Sequence, residues 1–165
     1  MAETAKLSQL QIRVSEEEKS AIRAAAERAG MDMSSYILSR ALSMPEREFQ
    51  ESVRALKGPD APSFALAEIN SLLTRVSAAE LREAVASAPP VELSPFLANY
   101  VAAMVEVACE MRALRLPAWV RSIPPLDRPV FGSTLQRLRL YLLTHSPAAF
   151  RRRNIFIDAS LGDRV

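Results

Sequence analysis

One cysteine, one histidine and four glycines stand in the 165 residues of this chain. A lone thiol, Cys109, leaves no disulfide framework, and with His145 as the single imidazole no Cys/His metal cage can be built within one copy. So few glycines offer no phosphate-cradling loop, and no nucleophile has a base to pair with it. An enzyme is therefore not expected, and neither a cofactor nor a metal. Aromatic residues are 6% of the chain, so any core must be aliphatic. Long apolar runs are also missing: Val101 to Cys109, interrupted by Glu106, is about half the length a bilayer crossing needs. The N-terminus has no apolar stretch behind a basic start, as a secretory signal would. These absences predict a cytoplasmic protein without a membrane partner.

The residues present in quantity are Ala, Leu, Glu and Arg, which favour helix. The net charge of +2 conceals a strong asymmetry. Residues 1–44 carry six basic and six acidic side chains, residues 45–111 five basic and ten acidic, and residues 112–165 ten Arg and three Asp. An acidic middle and an arginine-rich end predict surfaces with different preferences in partner.

From Leu7 to Val14 apolar and polar residues alternate, which predicts a short strand with Leu10, Ile12 and Val14 on one face and Gln9, Gln11 and Arg13 on the other. Ser15 with Glu18 is a capping box for a helix running to Ala29, where Gly30 supplies the left-handed stop. A second helix follows Met33, capped by Ser34 or Asp32. Glu46 to Lys57 reads as a further helix, closed by Gly58-Pro59 and a linker. Ser63 caps a helix over 64–76, Ser77 and Glu80 form a second capping box, and Ser94-Pro95 opens a long helix over 96–114. Its apolar positions keep helical spacing, so the thiol of Cys109 is expected buried and inert. Four prolines from Pro117 to Pro129 predict an irregular arm around Trp119. Helix returns over 134–143, Ser146-Pro147 opens a short one, and Asn154 to Asp158 is extended. His145, beside that cap, is assigned no chemistry.

A single short strand cannot satisfy its own edges, but two copies can pair theirs as an antiparallel ribbon over a shared helical core. The run Gln9-Leu-Gln-Ile-Arg-Val-Ser, the acidic helix start, Ala29-Gly30 and then Met33-Ser-Ser-Tyr-Ile-Leu-Ser-Arg-Ala-Leu42 resemble the ribbon-helix-helix domains of bacterial antitoxins and small repressors. The resemblance implies a homodimer that lays the ribbon in the major groove of double-stranded operator DNA, with Gln9, Gln11 and Arg13 at base edges. It implies that Ser34 and Ser35 grip a phosphate at a helix N-terminus and that Lys6 adds a backbone contact. A solvated strand face would also be polar, and the module is electrically neutral, which argues for weak binding per dimer.

The expected architecture is mostly α: a ribbon-helix-helix module over 1–44, a helix and linker over 45–62, and a helical partner-binding region with a Pro-rich arm over 63–165. The tail around Phe150-Arg-Arg-Arg-Asn-Ile-Phe156 loosely resembles a C-terminal module of antitoxin-like proteins found beside nucleotidyltransferase-type toxins. On that resemblance Phe150, Arg151, Arg152, Arg153, Asn154 and Phe156 would meet a cognate toxin, the arginines forking onto its clustered carboxylates. Trp119, between Pro117 and Pro124, is either a core plug or an anchor for that partner. The same arginines can instead form a solvated basic patch, pair with the acidic middle segment, or touch DNA. The leading expectation is an antitoxin that represses its own operon. The alternatives are a stand-alone regulator or plasmid partition or mobilisation accessory protein, and an interaction scaffold that binds no DNA.

Overall fold

Ser15 sets the start of the first helix by local chemistry. Its hydroxyl accepts the Glu18 amide at 3.2 Å, and the Glu18 carboxylate accepts the Ser15 amide at 2.8 Å. In the computed structural model, which describes residues 11–41, 44–58 and 62–158, this box opens α1 (Glu16–Arg28), with three glutamates against the positive end of its dipole. The helix stops where Gly30 takes φ 65°. There the Gly30 amide donates to Glu27 O at 3.1 Å and the Met31 amide to Ala26 O at 3.0 Å, the bond pair of a left-handed C-terminal stop. Asp32 then starts α2 (Met33–Ala41), its carboxylate accepting the Ser35 amide at 3.0 Å.

These helices belong to the first of two compact units, Met1–Leu42 and Ser43–Val165. They pack on each other, yet Ala26 is the sole fully buried residue of that unit among the described residues. The strand expected over 7–14 lies outside the described residues up to Leu10. Its remainder, Gln11 to Val14, forms no strand in the single chain, and Ile12 and Val14 are 55% and 41% exposed. The physical reason is the one that made a lone strand implausible: one copy offers no second edge to pair with.

In the second unit, α3 (Met44–Ala55) packs on α4 (Pro62–Arg75) and α5 (Ala78–Ala84). Phe49 and Val53 from α3, Ile69 and Leu72 from α4 and Leu81 from α5 are sealed from solvent. The helix assigned from sequence to a separate 45–62 segment is thus part of this larger unit, because its apolar face needs α4 and α5 to cover it. Ser77 and Glu80 form the expected second capping box at α5.

The centre is α6 (Pro95–Met111), opened by Ser94, whose hydroxyl accepts the Leu97 amide at 3.4 Å. Between Asn99 and Cys109 only Tyr100 and Val107 are not fully buried. A helix covered on all sides is a core element, not an amphipathic surface one. It ends at Met111, short of the expected Leu114, because Ala113 turns left-handed with φ 52°. The Arg112 guanidinium then donates to the Thr74 and Val76 carbonyls at 2.9 and 3.1 Å, tying the end of α6 to the end of α4.

The Pro-rich arm is less irregular than expected, since it holds the short helix α7 (Ala118–Ser122). Two-residue strands β1 (Val130–Phe131) and β2 (Ile155–Phe156) pair in parallel, Val130 against Ile155 and Phe131 against Phe156. Parallel strands need a crossover. Here it consists of a 3-10 turn (Gln136–Leu138), α8 (Arg139–His145) and α9 (Ala148–Arg151); the helix expected over 134–143 is divided between the turn and α8, and α9 is the short helix expected after Ser146-Pro147. Among the described residues no helix is long and apolar enough to cross a membrane.

Candidate nucleic-acid interface

The N-terminal residues expected to read DNA divide by position. Lys6 and Gln9 lie outside the described residues. Gln11 and Arg13 are exposed immediately ahead of α1, and they alternate with the exposed Ile12 and Val14. The α1 cap fixes where this segment ends, so polar and apolar side chains are presented next to a defined helix start.

Ser34 and Ser35 occupy the first turn of α2, as a phosphate grip requires. Asp32 is the cap that the sequence left open between two residues. Its carboxylate already takes the Ser35 amide, and an acid there opposes an anion. Ser34 is exposed and Ser35 half-buried. A phosphate at this helix start would lie beside the Asp32 carboxylate, with the Ser35 amide already taken. At the other end of α2 the Arg40 guanidinium lies 5.4 Å from the Tyr36 ring centre, a cation–π contact whose i, i+4 spacing is legible in the sequence.

The residues proposed to meet a partner are largely committed within the second unit. Arg153 is 7% exposed. Its guanidinium donates to the Val120 carbonyl at 2.8 Å, to Asn99 Oδ1 at 3.2 Å and to Glu106 Oε2 at 3.4 Å. Asn99 is held in turn by bonds from its amide to the Pro95 and Pro124 carbonyls, both at 3.0 Å. Arg152 donates to Glu106 Oε1 through Nε at 3.0 Å, and its other nitrogen reaches both Glu106 and Glu110 at 2.5 Å. These two carboxylates hold the Arg152 guanidinium above its ordinary pKa, the Glu106 hydrogen bond foremost. The buried Arg153 Nε has no acceptor among the described residues.

Of the readings open at the sequence level, pairing with the acidic middle segment is therefore what Arg152 and Arg153 do. Arg153 is buried in this pairing, whereas about half of the Arg152 side chain (53%) stays exposed. The clue was present: Glu106 and Glu110 share one face of α6, and Glu106 interrupts an apolar run where a lone carboxylate would be costly.

The aromatic residues behave similarly. Phe150 and Phe156 are buried, Phe150 edge-on to Tyr100 with ring centres 5.1 Å apart and Phe156 stacked on Phe131 at 5.0 Å. Half-buried Trp119 donates its indole N–H to the Val85 carbonyl at 2.9 Å, 6.5 Å from the Phe49 ring centre. Asn154 takes φ 58°, which a short amide side chain tolerates, and donates to the Leu126 carbonyl. Arg151 alone of the seven remains exposed with no ion pair among the described residues. Cys109 is buried, and burial pushes its thiol pKa up, as an inert core thiol requires. His145 has partners that the sequence reading missed: it stacks on the Tyr141 ring at 4.1 Å, with Nδ1 2.8 Å from Thr144 Oγ1. Among the described residues no group of three or more His, Cys, Asp or Glu is placed to hold a metal ion.

Residues 5–78 match a family model described as NikA-like, Mobilization protein NikA. The match covers a little under half of the chain and continues beyond the first unit through α3 and α4. It supports a ribbon-helix-helix-like N-terminal module and says nothing of the chain after residue 78. Neither the curated proteins nor the solved structures gave a match.

Proposed function

We propose that this protein is a ribbon-helix-helix DNA-binding protein that acts as a homodimer, as an accessory protein of DNA mobilisation or as a transcriptional regulator. The observation that carries the proposal is the uncovered apolar face ahead of α1. Ile12 and Val14 stay exposed in the single chain while alternating with Gln11 and Arg13. A second copy paired at this segment buries the aliphatic side chains and turns the polar row outward. Gln can then bond adenine N6/N7, and Arg can fork onto guanine O6/N7. The likeness to mobilization proteins over residues 5–78 points the same way.

This reading is preferred to an antitoxin. The residues that would have engaged a toxin are mostly spent inside the second unit, Arg152 and Arg153 in ion pairs and Phe150 and Phe156 in packing.

The test pairs two measurements on the full chain: mass by light scattering and gel-shift on DNA flanking its own gene. The wild type is expected to be a dimer and to shift that DNA in preference to a scrambled duplex. Arg13→Ala should keep the dimer and lose that preference, by about 1–3 kcal/mol per base contact. Ile12→Asp with Val14→Asp should abolish both. A monomeric wild type, or a dimer without sequence preference, overturns the proposal.

A further inference from the structure

The charge of this molecule is in the wrong place for a DNA-binding protein that relies on its ribbon alone. Affinity for duplex DNA comes mainly from neutralising phosphates. Residues 1–44 carry as many acids as bases, whereas residues 112–165 carry ten arginines against three aspartates. The structure separates those arginines by what they do. Arg112 is bonded to the Thr74 and Val76 carbonyls, and Arg152 and Arg153 are tied to Glu106.

Six others, Arg115, Arg121, Arg128, Arg137, Arg139 and Arg151, are exposed, and the ion pairs described in this segment belong to none of them. They project from the loop after α6, from α7, from the arm, from the 3-10 turn, from α8 and from α9. Asp127 is the one exposed acid described among them. At one place the arrangement is concave: Arg121, Arg152 and Arg153 line a cavity of about 220 Å³ beside Val120 and Ile123. The single acid there, Glu106, is already held by two guanidiniums. At another, Arg139 is braced 5.1 Å above the Phe131 ring centre, with its charge left to solvent.

We infer that the second unit is itself a DNA-binding surface, and that its exposed arginines supply the phosphate contacts that the neutral N-terminal module lacks. The inference rests on the ribbon reading for the identity of the nucleic acid, but the arginine surface acts without regard to sequence. Base contacts and phosphate contacts then come from different units of one chain.

The test is the salt dependence of affinity, measured by fluorescence anisotropy with the full chain and a mixed-sequence DNA duplex. A variant with Arg121, Arg128, Arg137, Arg139 and Arg151 all changed to Gln alters only exposed side chains, and circular dichroism checks its fold. Each phosphate left without its arginine should flatten the slope of log K against log salt by about 0.9. A fall of about two or more in that slope is expected, with equal weakening on specific and scrambled duplexes. An unchanged slope overturns the inference, whatever Arg13→Ala does. Binding that depends on the five arginines but shows no sequence preference upholds the inference and removes the ribbon reading. Absence of any DNA binding removes both. Capture of an acidic protein by the wild type, with DNA affinity unaltered by the five substitutions, assigns the surface to another partner and also overturns the inference.

Discussion

Glu106 shows how much one side chain can carry. It is 6% exposed on the central helix and accepts from Arg152 and Arg153, so the turn after α9 is bound to the middle of the core through its carboxylate. Glu106→Ala leaves the guanidinium of Arg153 buried without a counter-charge. Removing one partner of a buried pair costs about 3–5 kcal/mol, and urea unfolding of the second unit should register a loss of that order. Glu110 touches only the exposed side of Arg152. Glu110→Ala should cost about 0–1 kcal/mol, as for a surface pair. Equal effects from the two substitutions would contradict the network.

Among the elements, helix starts were the most legible feature of the sequence. Ser15 with Glu18 and Ser77 with Glu80 are local patterns, and local chemistry satisfies them. The second box also predicts a pH dependence. The Ser77 amide, and then its hydroxyl, hold the Glu80 carboxyl below the usual carboxylate range. A carboxylate with a depressed folded-state pKa adds stability above its unfolded value and loses it as pH falls through the folded one. Glu80→Ala should therefore lower the urea midpoint at neutral pH, and the gap to the wild type should close towards pH 3, below the ordinary carboxylate range of roughly 4. A gap independent of pH would mean that the substitution acts through packing. Element ends were harder to read. The stop of α6 depends on Ala113 adopting a left-handed φ, a conformation that nothing in an alanine announces.

At the scale of the whole molecule, the two units differ in how much they can bury alone. The second has a continuous hydrophobic core around α6, mostly aliphatic but with Phe49 and Phe150 in it, whereas the first fully buries only Ala26 among the described residues. A module of about 40 residues seldom holds together without disulfides, metal or a second copy. Helical circular dichroism should therefore fall in part on dilution, as the first unit loses its partner, while the signal of the second persists. A proteolysis series run alongside should cut α1 and α2 on dilution and spare α6. A spectrum that does not change with concentration would show the first unit to be stable as a monomer.

The order of residues determined the helical class, both capping boxes, the Gly30 stop, the buried thiol and the charge asymmetry, because each is a matter of neighbours or of composition. Only the tertiary structure decided that Arg153 is buried and that Arg152 pairs with Glu106, that α3 belongs to the larger unit and that the Pro-rich arm carries a helix. Those outcomes join residues dozens of positions apart, such as Glu106 with Arg152 and Val85 with Trp119. A guanidinium reads the same in sequence whether a carboxylate or water lies in front of it. Which one it meets is settled when the chain brings α6 beneath the turn that follows α9.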